Sequence, residues 1–103
     1  MTPEGKVKKL VSKLLRKEKI YFFYPATGGY GASGTPDMVA CHRGIFIGIE
    51  CKAGKNKPTK LQEYNLNQIA RCGGVALVIN EDNMHDTLTL IEEEILKRKL
   101  NIA

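Results

Sequence analysis

Short apolar runs alternate along this chain with longer amphipathic stretches, and this alternation is typical of an α/β fold. Residues 3–19 are predicted to form a helix, because Thr2 can cap it and apolar side chains recur at helical spacing. Residues 20–24 form a dense aromatic and β-branched run, which predicts a strand. Its apolar side chains do not alternate cleanly, so we expect both faces to be covered, either by the chain's own core or by a second subunit.

A hairpin is predicted in the middle of the chain. The apolar runs 39–41 and 45–49 are separated by Arg43-Gly44, a pair suited to a tight turn. A two-residue loop pairs His42 with Ile45. Continued outward, this register places Asp37 directly opposite Glu50.

The second half of the chain predicts a helix, a strand and a helix. Thr59 and Gln62 have the spacing of a capping box, after a polar basic loop at 53–58, and the helix that they open should end near Gly73. Residues 75–79 form an apolar strand of the kind buried on both faces, and a last helix begins near Asn83 or Asp86. With 103 residues, no repeat and no linker, we expect a single domain over 1–103.

The two opposed acids are the strongest chemical signal. Carboxylates facing each other across an antiparallel pair have Cβ atoms roughly 4.5–5.5 Å apart and destabilise the pairing. The arrangement makes sense if a hard cation such as Mg²⁺ lies between the oxygens. Lys52 points to the same face as Glu50, two residues away, and could reach an anion held by that cation. Asp37, Glu50 and Lys52 therefore predict a site that polarises a phosphodiester.

Charge and loop composition indicate a nucleic acid as the partner. The net charge is +5, and residues 1–24 carry seven Lys or Arg against two acids. Such a basic segment favours a polyanion, although a solvated helix face is the alternative. The candidate phosphate contacts are Lys6, Lys9 and Lys13 on the first helix and Lys55, Lys57 and Lys60 near the second. The glycine-rich loop 26–35 adds Tyr30, able to stack on a base, and Ser33; a plain connector is the alternative.

Other chemistries find little support. Cys41, Cys51 and Cys72 have no metal-binding spacing, and the two in predicted strands are expected to be buried thiols. His42 and His85 are expected at the surface. No apolar run approaches the ~20 residues of a membrane span, and the N-terminus has no secretory h-region. We therefore expect an intracellular protein that is neither secreted nor membrane-bound.

The motif residues resemble a known family. They are Gly34, Pro36, Asp37, Glu50, Lys52 and Gln62, with Glu4 on the first helix, within roughly residues 4 to 80. This pattern resembles the VRR-NUC (virus-type replication-repair nuclease) domains of the PD-(D/E)xK restriction-endonuclease-like superfamily. The resemblance implies an αβββαβ core with an additional C-terminal helix, the mixed sheet being flanked by helices.

The resemblance also implies roles for these residues. Asp37, Glu50, the backbone carbonyl of Cys51 and Glu4 would hold Mg²⁺ or Mn²⁺. Lys52 would hold the attacking water or stabilise charge on the phosphate. Gln62 would orient water or phosphate, although helix capping competes for its side chain. Lone family members are homodimers, and some cut branched DNA such as four-way junctions, so a viral or prophage homodimer acting on branched or duplex DNA is implied.

Two other interpretations stay open. In the first, the chain is a non-catalytic nucleic-acid-binding module of a replication or recombination complex. Asp37 and Glu50 would then be structural, paired with Lys52 and Arg71. In the second, it is a small regulatory or protein-interaction domain that uses its aromatic strand.

Overall fold

Helices and strands follow one another in the order that the hydrophobic pattern predicts. The structure is a computed structural model and describes residues 1–26 and 34–101. Within these residues the fold has three α-helices, four strands and one short 3-10 turn. They are α1 (Pro3–Lys17), β1 (Tyr21–Phe23), β2 (Met38–His42), β3 (Ile45–Cys51), α2 (Lys60–Arg71), β4 (Val75–Ile79), the 3-10 turn (Met84–Asp86) and α3 (Thr87–Asn101).

The four strands form one mixed sheet in the order β1-β2-β3-β4. The first two pairings are antiparallel, whereas β3 and β4 run parallel and are connected through α2. The β2–β3 register runs from His42 opposite Ile45 to Met38 opposite Ile49, as the two-residue loop predicts. Arg43 and Gly44 have φ values of 54° and 79°, the left-handed backbone that a type I′ hairpin turn requires.

The core lies between the sheet and the pair of helices α1 and α3. Alternate residues of each strand point to this face and are buried against the apolar sides of the two helices. The fully buried side chains include Val7, Val11, Leu15, Ile47, Ile49, Val75, Ile79 and Ile91. Helix α2 packs on the opposite face, where a Cβ on Gly48 would come within 2.5 Å of the Ile69 Cδ1 atom. The mixed sheet flanked by helices is confirmed.

Local capping explains where the helices begin. The Thr2 hydroxyl accepts a hydrogen bond from the Gly5 N–H at 3.0 Å and caps α1. Thr59 and Gln62 form the predicted capping box at the start of α2. Gly73, with φ of 92°, follows the end of α2, as predicted. Helix α1 ends at Lys17, two residues before the predicted boundary, and Lys19 then adopts a positive φ of 56°.

Two burial predictions are wrong, those for Cys41 and for residues 75–79. Val78 of β4 is 37% exposed, so β4 is not buried on both faces. Cys41 is exposed, because it points to the α2 face of the sheet at a strand that α2 does not cover. In β1, Phe22 packs against the core, whereas Tyr21 is 71% exposed and Phe23 46% exposed. Within the described residues, the core therefore covers one face of β1, and coverage of the other face by a second subunit stays a prediction. Within residues 1–26 and 34–101, no helix has the length and apolar character needed to cross a bilayer.

Candidate active site

The hairpin register brings Asp37 and Glu50 together at the open end of β2 and β3. Asp37 directly precedes β2, and Glu50 is the next residue along β3 after Ile49, the partner of Met38. The backbone N–H of Cys51 donates a hydrogen bond to Asp37 Oδ2 at 2.8 Å. This bond turns the Asp37 carboxylate toward β3, where Glu50 lies.

Glu50 is a buried carboxylate whose two oxygens have different surroundings. Its exposure is 2%. Oε2 accepts a hydrogen bond from Gln62 Nε2 at 3.1 Å and lies 3.6 Å from Lys52 Nζ. Oε1 is also buried, and among the residues that the structure describes it has no hydrogen-bond partner. An unsatisfied buried oxygen costs free energy, so its presence in a folded protein calls for an explanation.

The surroundings of Glu50 disfavour its ionised form. Burial is the main cause, followed by the charge of Asp37 and by a hydrogen bond that the neutral form makes with the Asp37 side chain. The Lys52 ammonium acts in the opposite direction, and Glu4 adds a smaller repulsion. Together these raise the pKa of Glu50 from 4.5 to about 7. At neutral pH the acid pair therefore tends to hold a proton unless another positive charge neutralises it.

Lys8 is a site residue that the sequence did not reveal. Its Nζ lies 3.5 Å from Asp37 Oδ1, and its side chain is 37% exposed. Each acid of the pair thus has its own lysine, Lys8 for Asp37 and Lys52 for Glu50. The local sequence offers one indication that Lys8 faces the site: it follows the buried Val7, at the border of the apolar stripe of α1.

Gln62 serves the helix cap and the acid pair at once. Its Oε1 accepts a hydrogen bond from the Thr59 backbone N–H at 2.8 Å, while its Nε2 donates to Glu50 Oε2. The expectation that the two roles compete is wrong, because the amide group has an acceptor at one end and donors at the other. The capping box therefore fixes the orientation in which Gln62 reaches Glu50.

The Cys51 thiol is unsuited to metal binding. Burial and, second, the charge of Asp37 raise the pKa of this thiol to about 12. The thiol stays protonated at neutral pH, whereas metal ligation needs the thiolate. A role for Cys51 can only involve its backbone, as the resemblance implies, and that role stays a prediction.

The donor set at the acid pair suits a hard cation but is incomplete as a side-chain cluster. Carboxylate oxygens are the ligands that Mg²⁺ prefers, and Glu50 Oε1 has no other partner within the described ranges. Glu4 is near enough for its charge to raise the pKa of Glu50. Even so, residues 1–26 and 34–101 contain no group of three His, Cys, Asp or Glu side chains arranged to hold a metal. Backbone oxygens, water or substrate would have to complete the coordination.

Most of the remaining candidates are exposed lysines. The six lysines predicted to contact phosphate, Lys6, Lys9, Lys13, Lys55, Lys57 and Lys60, are all exposed. Tyr30 and Ser33 lie outside the described residues. His85 is exposed, whereas His42 is partly buried, with its Nε2 2.8 Å from Glu92 Oε1. The expectation of a surface His42 is corrected by this contact with α3.

Comparison with known proteins agrees with the resemblance of the motifs at the level of the fold. No protein-family model matches the chain, and no curated protein sequence matches it either. A solved structure described as "VRR_NUC domain protein" superposes with a TM-score of 0.71. The alignment covers 90% of each chain, at 21% sequence identity. The chain therefore has the α/β fold of a VRR_NUC domain protein.

Proposed function

We propose that this protein is a metal-dependent endodeoxyribonuclease that hydrolyses phosphodiester bonds. The observation that carries the proposal is Glu50, a buried carboxylate that faces Asp37 and has one oxygen without a partner among the described residues. A divalent cation held by the two carboxylates would give this oxygen a partner and would offset the repulsion between Asp37 and Glu50. The fold shared with a VRR_NUC domain protein supports the same conclusion.

The chain's own residues divide the work of the reaction. Asp37 and Glu50 would hold Mg²⁺ or Mn²⁺, with the Cys51 carbonyl and Glu4 as further candidates. Such an ion lowers the pKa of water and offsets negative charge on a phosphate. Lys52 is only 12% exposed, so its charge acts in a poorly solvated environment. There it holds the attacking water or stabilises the charge that develops on the scissile phosphate.

Gln62 and the Cys51 N–H keep the two carboxylates in place. Gln62 is anchored to Thr59 by the capping box and holds Glu50 Oε2, whereas the Cys51 N–H holds Asp37 Oδ2. Both anchors come from regular secondary structure rather than from long loops. The acids are therefore oriented before substrate binds, which avoids part of the cost of ordering them during the reaction.

The substrate is DNA that is recognised mainly by shape. Contacts from exposed lysines of α1 and of the loop before α2 go to phosphates, which carry little sequence information. We propose a homodimer that presents two active sites to two strands of branched DNA, such as a four-way junction. Its basic surface and its open aromatic strand β1 support this assignment. Light scattering that gives a monomer at micromolar concentration would contradict the homodimer.

A non-catalytic nucleic-acid-binding module is the second candidate. The observation that favours it is that each acid already has a lysine near it, Lys8 at 3.5 Å from Asp37 and Lys52 at 3.6 Å from Glu50. The predicted pairing of one acid with Arg71 is wrong, since Asp37 pairs with Lys8 and Glu50 with Lys52. Without a metal, the Glu50 oxygen that lacks a partner among the described residues is explained by protonation, with the neutral carboxyl bonded to Asp37.

Cleavage of labelled DNA separates the two candidates. A four-way junction, a flap and a linear duplex are incubated with the protein, with and without Mg²⁺. We expect Mg²⁺-dependent cutting that falls roughly 10²–10³-fold in Asp37→Ala and in Lys52→Ala. DNA binding should stay within a few-fold of the wild type, and the exposed Lys99→Ala on α3 serves as the control. Undiminished cutting by either site variant would remove the mechanism, and no cutting of any substrate would favour the binding module.

A further inference from the structure

A cleft adjoins Asp37, and Glu50 is not among its lining residues. It lies between α1, the end of β1 and the residues that lead into β2, and its volume is about 360 Å³. Its lining residues are Lys8, Tyr24, Pro25, Thr35, Pro36 and Asp37. This volume is at the lower end of the range for small-molecule sites, roughly 300–1,000 Å³. The cleft can hold a single nucleotide but is too small for a base pair.

Tyr24 gives the cleft an aromatic surface that is held from behind. Its ring packs edge-on against Phe22, with centroids 5.8 Å apart and ring planes at 89°. The Arg16 guanidinium lies 5.1 Å from the centroid of Phe22 and supports that ring in turn. Tyr24 is nevertheless 47% exposed. A supported ring with a free surface is suited to stacking on a base.

Lys8 gives the same cleft a positive charge. Its ammonium lies 3.5 Å from Asp37 Oδ1, and its side chain is 37% exposed. An ammonium group has three donors, so one contact with Asp37 leaves capacity for a phosphate oxygen. A phosphate bound there would be next to the acid pair.

We propose that this cleft binds one unpaired nucleotide beside the bond that is cut, with Lys8 contacting its phosphate and Tyr24 stacking on its base. The inference rests on the proposed function and narrows its substrate class. DNA that exposes an unpaired nucleotide next to the scissile phosphate is favoured over continuous duplex. The recognition is independent of base identity, because every base offers a stacking face.

Binding without metal tests the cleft separately from catalysis. A short single-stranded oligonucleotide containing 2-aminopurine is titrated at low salt in EDTA, and fluorescence quenching reports stacking. We expect Tyr24→Leu to remove the quenching and to weaken binding roughly 5- to 150-fold, since stacking on an aromatic contributes about 1–3 kcal/mol per base. Tyr24→Phe should retain both signals. Tyr64→Leu, the same change at a 60% exposed position of α2, is the matched control.

Lys8 provides an independent variant in case Tyr24→Leu disturbs the fold. We expect Lys8→Gln to lower the slope of log affinity against log salt by roughly 0.7, the value for one phosphate contact in a single strand. Lys99→Gln should leave the slope unchanged. Equal weakening of single-stranded and fully paired DNA by Tyr24→Leu, or an unchanged slope in Lys8→Gln, would overturn the assignment of the cleft.

The outcomes for the cleft and for the nuclease can be told apart. If the wild type cuts DNA with Mg²⁺ while Tyr24→Leu and Lys8→Gln bind the oligonucleotide as the wild type does, the cleft assignment is wrong and the nuclease stands. If stacking is lost in Tyr24→Leu but the wild type never cuts DNA, the nuclease is wrong and the nucleotide cleft stands.

Discussion

Replacing Glu50 by glutamine removes a buried negative charge and keeps nearly the same side-chain shape. Because burial and Asp37 raise the pKa of Glu50 from 4.5 to about 7, the folded chain binds more protons than the unfolded chain within that pH window. The free energy of unfolding therefore falls as pH rises from 4.5 to 7, and stays lower above 7. Relative to a side chain that stays neutral, a pKa shift of this size lowers the free energy of unfolding by about 3 kcal/mol at pH 8. At pH 5 it lowers the free energy of unfolding by about 1 kcal/mol.

Urea unfolding in EDTA measures this difference. We expect Glu50→Gln to be more stable than the wild type by about 3 kcal/mol at pH 8, with the advantage shrinking to about 1 kcal/mol at pH 5. The gain arises because the wild-type carboxylate must ionise in a buried position next to Asp37. Glu93→Gln, at an exposed position of α3, is the control and should show little difference at either pH.

Glu50→Gln also tests whether the negative charge of Glu50 serves to bind a divalent cation. Mn²⁺ at 100 times the wild-type dissociation constant should stabilise the wild type by about 2.7 kcal/mol and Glu50→Gln by no more than about 1.4 kcal/mol, the value for a tenfold loss of affinity. A glutamine variant that is less stable than the wild type at pH 8 would refute the reasoning. So would an advantage of the same size at pH 5 and pH 8.

Two further substitutions probe the supports of the acid pair. Gln62→Glu keeps an acceptor for the Thr59 N–H but loses the donor to Glu50 and adds a carboxylate. The free energy of unfolding, measured in urea without metal at pH 8, should therefore fall by about 1–3 kcal/mol. An unchanged free energy of unfolding would show that the Gln62–Glu50 hydrogen bond contributes nothing. Gly34→Ala should cost about 1–3 kcal/mol in the same assay, because Gly34 has φ of +102° and the new Cβ would lie 2.7 Å from the Leu61 Cγ atom. Gly54→Ala, with φ of +60° and open space among the described residues, is its control and should cost less.

The hairpin at the site could be predicted from local sequence because its determinants are close together in the chain. The turn at Arg43-Gly44 sets the register, and the period-2 pattern of β-strands then determines which side chains face each other. From these two facts Asp37 and Glu50 fall opposite each other. The predicted strand 75–79 also matches β4 at both ends, since a fully apolar run between Gly74 and Asn80 leaves little choice of boundary.

Features that depend on packing between distant segments could not be predicted in this way. The contact of Lys8 with Asp37 depends on how α1 sits against the start of β2, which no local pattern determines. The exposure of Cys41 depends on how far α2 reaches across the sheet. The double role of Gln62 depends on how close the start of α2 lies to β3, which the sequence does not specify. The sequence therefore predicts the acid pair better than it predicts the residues around it.

Calorimetric titration of the metal-free protein with Mn²⁺ tests the central claim most directly. If the opposed carboxylates exist to hold a divalent cation, the wild type binds Mn²⁺ and the affinity falls at least about tenfold in Asp37→Asn and in Glu50→Gln. Glu93→Gln should bind as the wild type does. Equal affinity in all four proteins, or no binding by the wild type, would contradict the claim.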